Sequence, residues 1–556
     1  MATLIDQARA ALRRPQGAAL ALLLLCLCFY LPGQTSLPPI DRDEPRFAQA
    51  TRQMVESGDY IDIRYQDVPR YLQPVGIYWL QAASVAAFGD ATRAIWPHRV
   101  PSWLSAIAAS FLTWWVAGLL FGRTAGRAAG VMMASSFILG AEARLAKIDA
   151  TLCAAVLAVQ ACLAKIYLDA QAGARAPWGY ALGFWAALGI GFLLKGPIIL
   201  LVSGGTILGL LVAERKFLWL RDLRALWGAP LFAAIAAPWY IAINAATQGE
   251  FFRVAFGYSV AGKIAGSHQS HGGPPGYHLA ALTLTFWPAS LFAWLSAPFA
   301  WRERKTAPVR FCLAWIIPAW IVFELSGTKL PHYTLPLLPA VAALSAAALL
   351  RVSGRPAFGR PILFSVAAFV WAVCGLVLAV GVTGVQAYLE GQPSVSAMLL
   401  SGLGVAAMIA VVVLSVFGRA RQAIVASAAA ALIVSFNTFQ IVAPSLQTLF
   451  MSPRIVEAAR SVAPCPQSRI VSTPYAEPSF VFLAGGTPLL ARDAAQAADI
   501  FIADGACALA LIGDERRDAF LAALAQHGAS AKAVRRIEGV NHNEGGAQGF
   551  TLYRQP

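Results

Sequence analysis

The chain has 556 residues, 58% of them hydrophobic and only 13% charged, with a formal net charge of +15. An average soluble domain is about 25% charged, so a soluble core could not take up this much apolar sequence, whereas a bilayer solvates the outside of each helix. The basic residues lie in short runs between apolar stretches and form no single patch, which argues against a nucleic-acid partner and for loops beside a membrane.

Arg13 and Arg14 precede an apolar run at 17–32 that has no clear small-x-small cleavage site, so it reads as an uncleaved first span. By the ~20-residue criterion about thirteen spans are expected in all. They lie near 16–33, 100–121, 125–142, 150–169, 179–195, 197–213, 227–245, 279–300, 311–327, 333–350, 361–385, 396–417 and 423–443. With the N-terminus in the cytoplasm, the inside linkers carry Arg123 and Arg127, Arg175, Arg215 to Arg224, Arg302 to Arg310, Arg351 to Arg360, and Arg419 and Arg421. Every inside linker is then basic, which fixes the orientation.

Three outside segments are longer than turns. The first, 34–99, contains RFAQATRQMVE at 46–56, with apolar residues at helical spacing, and reads as an amphipathic interfacial helix. A second helix is expected over 74–88, opened by Pro74. The segment 246–278, rich in Gly and His, reads as a flexible loop. The tail, 446–556, alternates strand-like runs (469–472, 480–483, 508–512) with helical ones (490–499, 515–527), the pattern of a small α/β domain on the outer face. The expected division is therefore a membrane domain over 1–445 and a second domain over 446–556. Six of the eight cysteines sit in spans as apolar filler. Cys465 and Cys507 fall in the tail, where an oxidising compartment would allow a disulfide.

Charge at membrane depth is costly and usually functional. The candidates all fall on the outer side: Asp41, Asp43 and Glu44; Arg144, Lys147 and Asp149; Lys195; Lys263, His268 and His271; and Glu324, Lys329, His332 and Tyr333. Each also has a structural alternative. Asp43 and Glu44 suit a helix N-terminus, Lys195 could snorkel, and His332 and Tyr333 could anchor an interface. His268 and His271, three apart among glycines, have weak metal-ligand spacing. Carboxylates and cations together at a lipid–water boundary suit transfer from a lipid-linked phosphate. The cations would bind the phosphate and stabilise it as it leaves, and a carboxylate would deprotonate or orient the attacking group.

Several motifs resemble one family. They are IDRDEPRFAQ at 40–49, MVESGD at 54–59, PVGIYW at 74–79, RLAKID at 144–149, Lys195-Gly196-Pro197 and KLPHY at 329–333. Together they resemble bacterial GT-C glycosyltransferases, in particular the aminoarabinose (lipid A) transferases and the protein mannosyltransferase-like enzymes, over roughly residues 30–345. The resemblance implies a GT-C membrane fold in the inner membrane with a periplasmic site. It implies inverting transfer of a sugar from an undecaprenyl-phosphate carrier to lipid A, lipopolysaccharide or another envelope glycan. By position, Asp43 resembles the catalytic loop carboxylate, with Glu44 beside it, and Asp149 the second acid. Lys195, Tyr333, His332 and Lys329, with Arg46, Arg70 and Lys147, would surround the donor phosphate. The sequence departs from the family at Gln73, where a lysine commonly precedes the Pro-x-x-x-Tyr-Trp helix. Loss of that charge-assisted contact costs about 1–3 kcal/mol of phosphate binding unless Arg70 compensates. No cofactor is assigned by the residues, and a divalent metal is left open. Two other readings stand beside this one, a flippase for a lipid-linked substrate and a non-catalytic envelope scaffold.

Overall fold

The computed structural model describes residues 14–88, 93–257, 272–486, 488–541 and 546–556. Among the described residues ten helices are long and apolar enough to cross a membrane: 96–121, 149–171, 178–195, 197–214, 225–247, 307–325, 331–351, 361–390, 395–416 and 420–445. The remaining three expected spans are also helical. Pro15–Tyr30 is one unbroken helix of 16 residues. The run at 125–142 is divided into Arg123–Ala134 and Phe137–Glu142, and that at 279–300 into Tyr277–Thr285 and Ser290–Arg302. The chain is a multi-span membrane protein with the helical order expected of it.

The two broken spans meet at their breaks. Ser135 and Ser136 turn their hydroxyls back onto the carbonyls of Met132 and Met133, and the freed N–H of Phe137 donates to the carbonyl of Trp287 at 2.9 Å. Backbone opened at membrane depth must find a partner in protein, and here each break supplies part of what the other lacks. Alternation through short linkers puts Asp149, Lys195, Leu325 and Pro331 at one end of the bundle and Phe121, Gln171, Glu214 and Arg351 at the other.

The segment between the first two spans folds over the first of these ends. Asp43–Ser57 is its main helix, and Gly76–Ala87 a second. A two-residue hairpin, β1 (Arg64–Tyr65) and β2 (Val68–Pro69), joins them. The tail lies at the same end and forms a five-stranded sheet in the order β4-β3-β5-β7-β6. Its strands are β3 (Ile470–Thr473), β4 (Leu489–Leu490), β5 (Leu509–Gly513), β6 (Lys532–Asn541) and β7 (Gly546–Arg554). β3 runs parallel to β4 and β5, while β7 runs antiparallel to β5 and β6. β3 and β5 are buried along their whole length, as central parallel strands usually are.

One expected strand is a helix. Pro478–Leu483 is helical, with Pro478 in its first turn and residues 478–482 buried. A short run that is apolar on every side carries no period, so helix and strand cannot be told apart there by pattern, while proline favours the helical start. The long β6–β7 hairpin was not foreseen. Cys465 and Cys507 form a disulfide with Cα atoms 5.3 Å apart.

Candidate active site

Helix ends place the central charges. Gly196, at φ +55° and ψ −130°, adopts a conformation open to glycine and stops the helix Trp178–Lys195, and Pro197 begins the next. Lys195 thus occupies a helix C-terminus, where a cation is favoured, and Asp149 opens Asp149–Gln171, where a carboxylate is favoured. The two meet with Lys195 Nζ 2.5 Å from Asp149 Oδ1. Lys147 Nζ lies 3.2 Å from Glu142 Oε1 and 3.7 Å from Asp149 Oδ2. His332 bridges the two acids, with Nδ1 3.7 Å from Glu142 and Nε2 3.7 Å from Asp149. Tyr333 presents its ring face to Lys195 Nζ at 5.8 Å. Burial opposes the Lys147 ammonium, but Glu142 and Asp149 outweigh it and hold its pKa above the ordinary lysine value.

Asp43 is exposed at the start of its helix. Its negative charge acts on Lys147 and Tyr78, so the loop carboxylate lies within electrostatic reach of the cluster. Glu44, expected beside it as its catalytic partner, is buried. Its carboxylate is 1% exposed and forms a two-point pair with Arg99, at 2.7 Å from Nε and 3.0 Å from Nη2. It also accepts from the backbone N–H groups of Ile40 and Ala146. Arg99 donates further to the carbonyls of Gln34, Leu37 and Pro38. Both oxygens are hydrogen-bonded, and Glu44 ties the loop to the helix Trp96–Phe121 and to the linker at 143–148.

The other expected cations divide. Arg70 is buried, donating to Tyr78 Oη at 3.2 Å with its guanidinium over the ring of Phe47. The positive charge of Arg46 acts on Asp41 and Tyr65. Lys329 Nζ donates to the carbonyl of Gly273 at 2.6 Å and pins the 272–276 segment. Arg144 is a backbone clamp on Phe29, Pro32 and Gly140. Gln73 precedes Pro74, which packs towards the Gly196 turn, and its side-chain oxygen is buried without a hydrogen-bond partner. His268 and His271 lie outside the described residues.

The sequence reading missed Glu142, Arg99 and His278. Glu142 and Arg99 each end or enter an apolar run, which is the signal that should have marked them. His278 Nδ1 lies 3.0 Å from Glu324 Oε2, and its ring stacks on Tyr333 at 6.4 Å. Glu142, Asp149 and His332 also bring one possible metal ligand each within 4.8 Å of one another. Two ammonium groups already balance those carboxylates at contact distance. A divalent ion would leave the pocket with excess positive charge, so the trio suits anchoring of the lysines better than metal ligation.

Residues 72–241 match the family model described as dolichyl-phosphate-mannose-protein mannosyltransferase. The chain is 28% identical over 350 residues to the undecaprenyl phosphate-alpha-4-amino-4-deoxy-L-arabinose arabinosyl transferase of Yersinia pestis, covering 60% of each chain. It is 28% identical over 317 residues to the transferase of the same name from Pseudomonas aeruginosa, covering 56% of this chain and 55% of that one. The matched region thus spans about 60% of the length of these curated relatives. In three dimensions the chain is similar to ArnT from Cupriavidus metallidurans bound to undecaprenyl phosphate, with a TM-score of 0.73 at 18% identity over 97% of this chain and 98% of that one. The apo state of the same protein gives 0.72. The resemblance read from the sequence is borne out, and the fold is that of the GT-C glycosyltransferases.

Proposed function

We propose, from a chain that has the GT-C fold and is related to the undecaprenyl-phosphate arabinosyl transferases, that this protein is an inverting glycosyltransferase. It moves a sugar from an undecaprenyl-phosphate carrier to an envelope acceptor such as lipid A. The observation that carries the reading is the convergence of Lys147, Asp149, Lys195, His332 and Tyr333 at one end of the bundle, opposite the exposed Asp43. An ammonium has three N–H donors. Asp149 uses one from Lys195 and orients the others for a phosphate.

In the reaction an acceptor oxygen attacks the anomeric carbon as the bond from that carbon to the phosphate oxygen breaks. The electron pair leaves with the carrier phosphate, where Lys195 and Lys147 stabilise the charge. A hydroxyl acceptor gives its proton to Asp43. A phosphate acceptor is already ionised, and Asp43 then orients the sugar. The basic linkers at the far end of the bundle support an inner-membrane protein with this site on the periplasmic side, and the disulfide in the tail fits that compartment. The domain division at about residue 445 belongs to the same proposal, with the tail as a cover over the catalytic loop.

Reconstituted protein supplied with undecaprenyl-phosphate aminoarabinose and lipid A should transfer the sugar, and Asp43→Asn should reduce kcat by about 10²-fold or more. Absence of turnover with any undecaprenyl-phosphate sugar, or full activity in Asp43→Asn, would overturn the assignment. Transport of the lipid-linked substrate that survives in Asp43→Asn would favour a flippase instead.

A further inference from the structure

At the other end of the bundle a cavity of about 630 Å³ opens between the ends of five helices. Leu120, Val309 and Leu350 give it apolar walls, and Thr306, Arg351 and Arg421 line it from exposed positions. Leu120 and Val309 are buried, so the polar groups face outward while the apolar wall lies behind them. Arg351 pairs with Glu303 at 3.1 Å and lies over the Phe299 ring at 4.9 Å, which holds its guanidinium in place. Arg421 has no hydrogen-bond or ion-pair partner among the described residues.

We propose that this cavity binds an anionic phospholipid from the adjacent leaflet, with its phosphate between Arg351 and Arg421 and part of its apolar body against Leu120, Val309 and Leu350. Basic pockets between membrane helices attract anionic headgroups, and guanidinium groups match phosphate in geometry and charge. The volume is that of a site for a sizeable ligand. A free phosphate ion would leave most of it, and all of its apolar wall, unused. The inference rests on the placement of the spans and on nothing in the proposed sugar transfer. Arg351 ends the helix Pro331–Arg351, whose other end carries His332 and Tyr333, so the lipid would bear on an element of the candidate active site.

The test is native mass spectrometry of the full chain in detergent, titrated with phosphatidylglycerol or phosphatidylcholine, with inorganic phosphate as competitor. Phosphatidylglycerol should bind in preference to phosphatidylcholine. The double substitution Arg351→Gln and Arg421→Gln should weaken it about tenfold or more, from ~1 kcal/mol per basic residue. Phosphatidylcholine binding should not change. Arg221→Gln, in a basic linker that does not line the cavity, should leave both lipids unaffected. Should the double variant fail to fold, the exposed Arg421→Gln alone carries the test, with a smaller loss expected. Equal binding of the two lipids, the same loss in Arg221→Gln, or displacement of the lipid by inorganic phosphate at equal concentration would each overturn the proposal.

Discussion

Lys195 spends one donor on Asp149 at 2.5 Å, yet the position where relatives commonly bring a further lysine to the donor phosphate is held by Gln73. Arg70, three residues earlier, is anchored by its Nε–H on Tyr78 Oη and by the Phe47 ring. Gln73 keeps a buried, unpartnered oxygen, and Pro74 after it packs towards the Lys195–Gly196 turn, so a phosphate bound there, as proposed, meets one fixed charge fewer. Gln73→Lys should therefore tighten binding of undecaprenyl phosphate by about 1–3 kcal/mol, and Lys195→Met should weaken it by a similar amount, both read by calorimetric titration of the purified protein. Unchanged affinity in both variants would remove this turn from the donor site. Glu44 makes a complementary point. A carboxylate beside a catalytic-looking aspartate reads as its partner in the sequence, whereas in the fold it is buried in a two-point pair with Arg99 that holds the loop.

Among the elements, the contact between Gly76–Ala87 and the end of Trp178–Lys195 sets where Gln73 and Lys195 stand. A Cβ on Gly76 would lie 2.7 Å from the backbone carbonyl of Leu193, and backbone at that distance cannot yield as a side chain can. Gly76→Ala should push the two helices apart, costing about 1–3 kcal/mol. It should lower the melting temperature by several degrees and impair turnover. Gly204→Ala, which meets nothing within 4 Å, should do neither, and equal behaviour of the two would refute the packing argument. The order of spans was legible because long apolar runs and basic linkers are one-dimensional signals. So was a helix at 46–56, from its spacing of apolar residues, within the observed Asp43–Ser57. The breaks at 135–136 and 286–289 were not, since they are stabilised by each other across the bundle through Phe137 and Trp287. The same reason hid Glu142 and His278: their partners, Lys147 with His332 and Glu324 with Tyr333, are fixed by tertiary packing. Residues 480–483, expected as a strand, are helical, and pattern alone gives an apolar tetrad no period to tell the two apart.

Across the whole molecule, the tail and the catalytic-side loop are joined two residues before Asp43. Ser479 donates its backbone N–H to Asp41 Oδ1 at 2.7 Å and its hydroxyl to Asp41 Oδ2 at 2.5 Å. Ser452 and Tyr475 extend the chain of hydroxyls into the sheet region. Asp41 lies outside the spans, and burial raises its carboxyl from an ordinary 3.8 to about 6, against the lowering effect of the Ser479 hydrogen bonds. An acid whose pKa is raised by folding holds its proton more tightly in the folded state. Its contribution is full below about pH 4 and is lost as pH rises through 6, an effect of at most ~3 kcal/mol. Hydrogen exchange in the 478–483 helix, corrected for intrinsic rates, should therefore quicken between pH 4 and pH 7. Asp41→Asn, which keeps an acceptor for the Ser479 N–H but cannot ionise, should flatten that profile, while Ser479→Ala should quicken exchange at every pH. If the native chain already shows a flat profile, ionisation of Asp41 does not govern how the tail holds the loop.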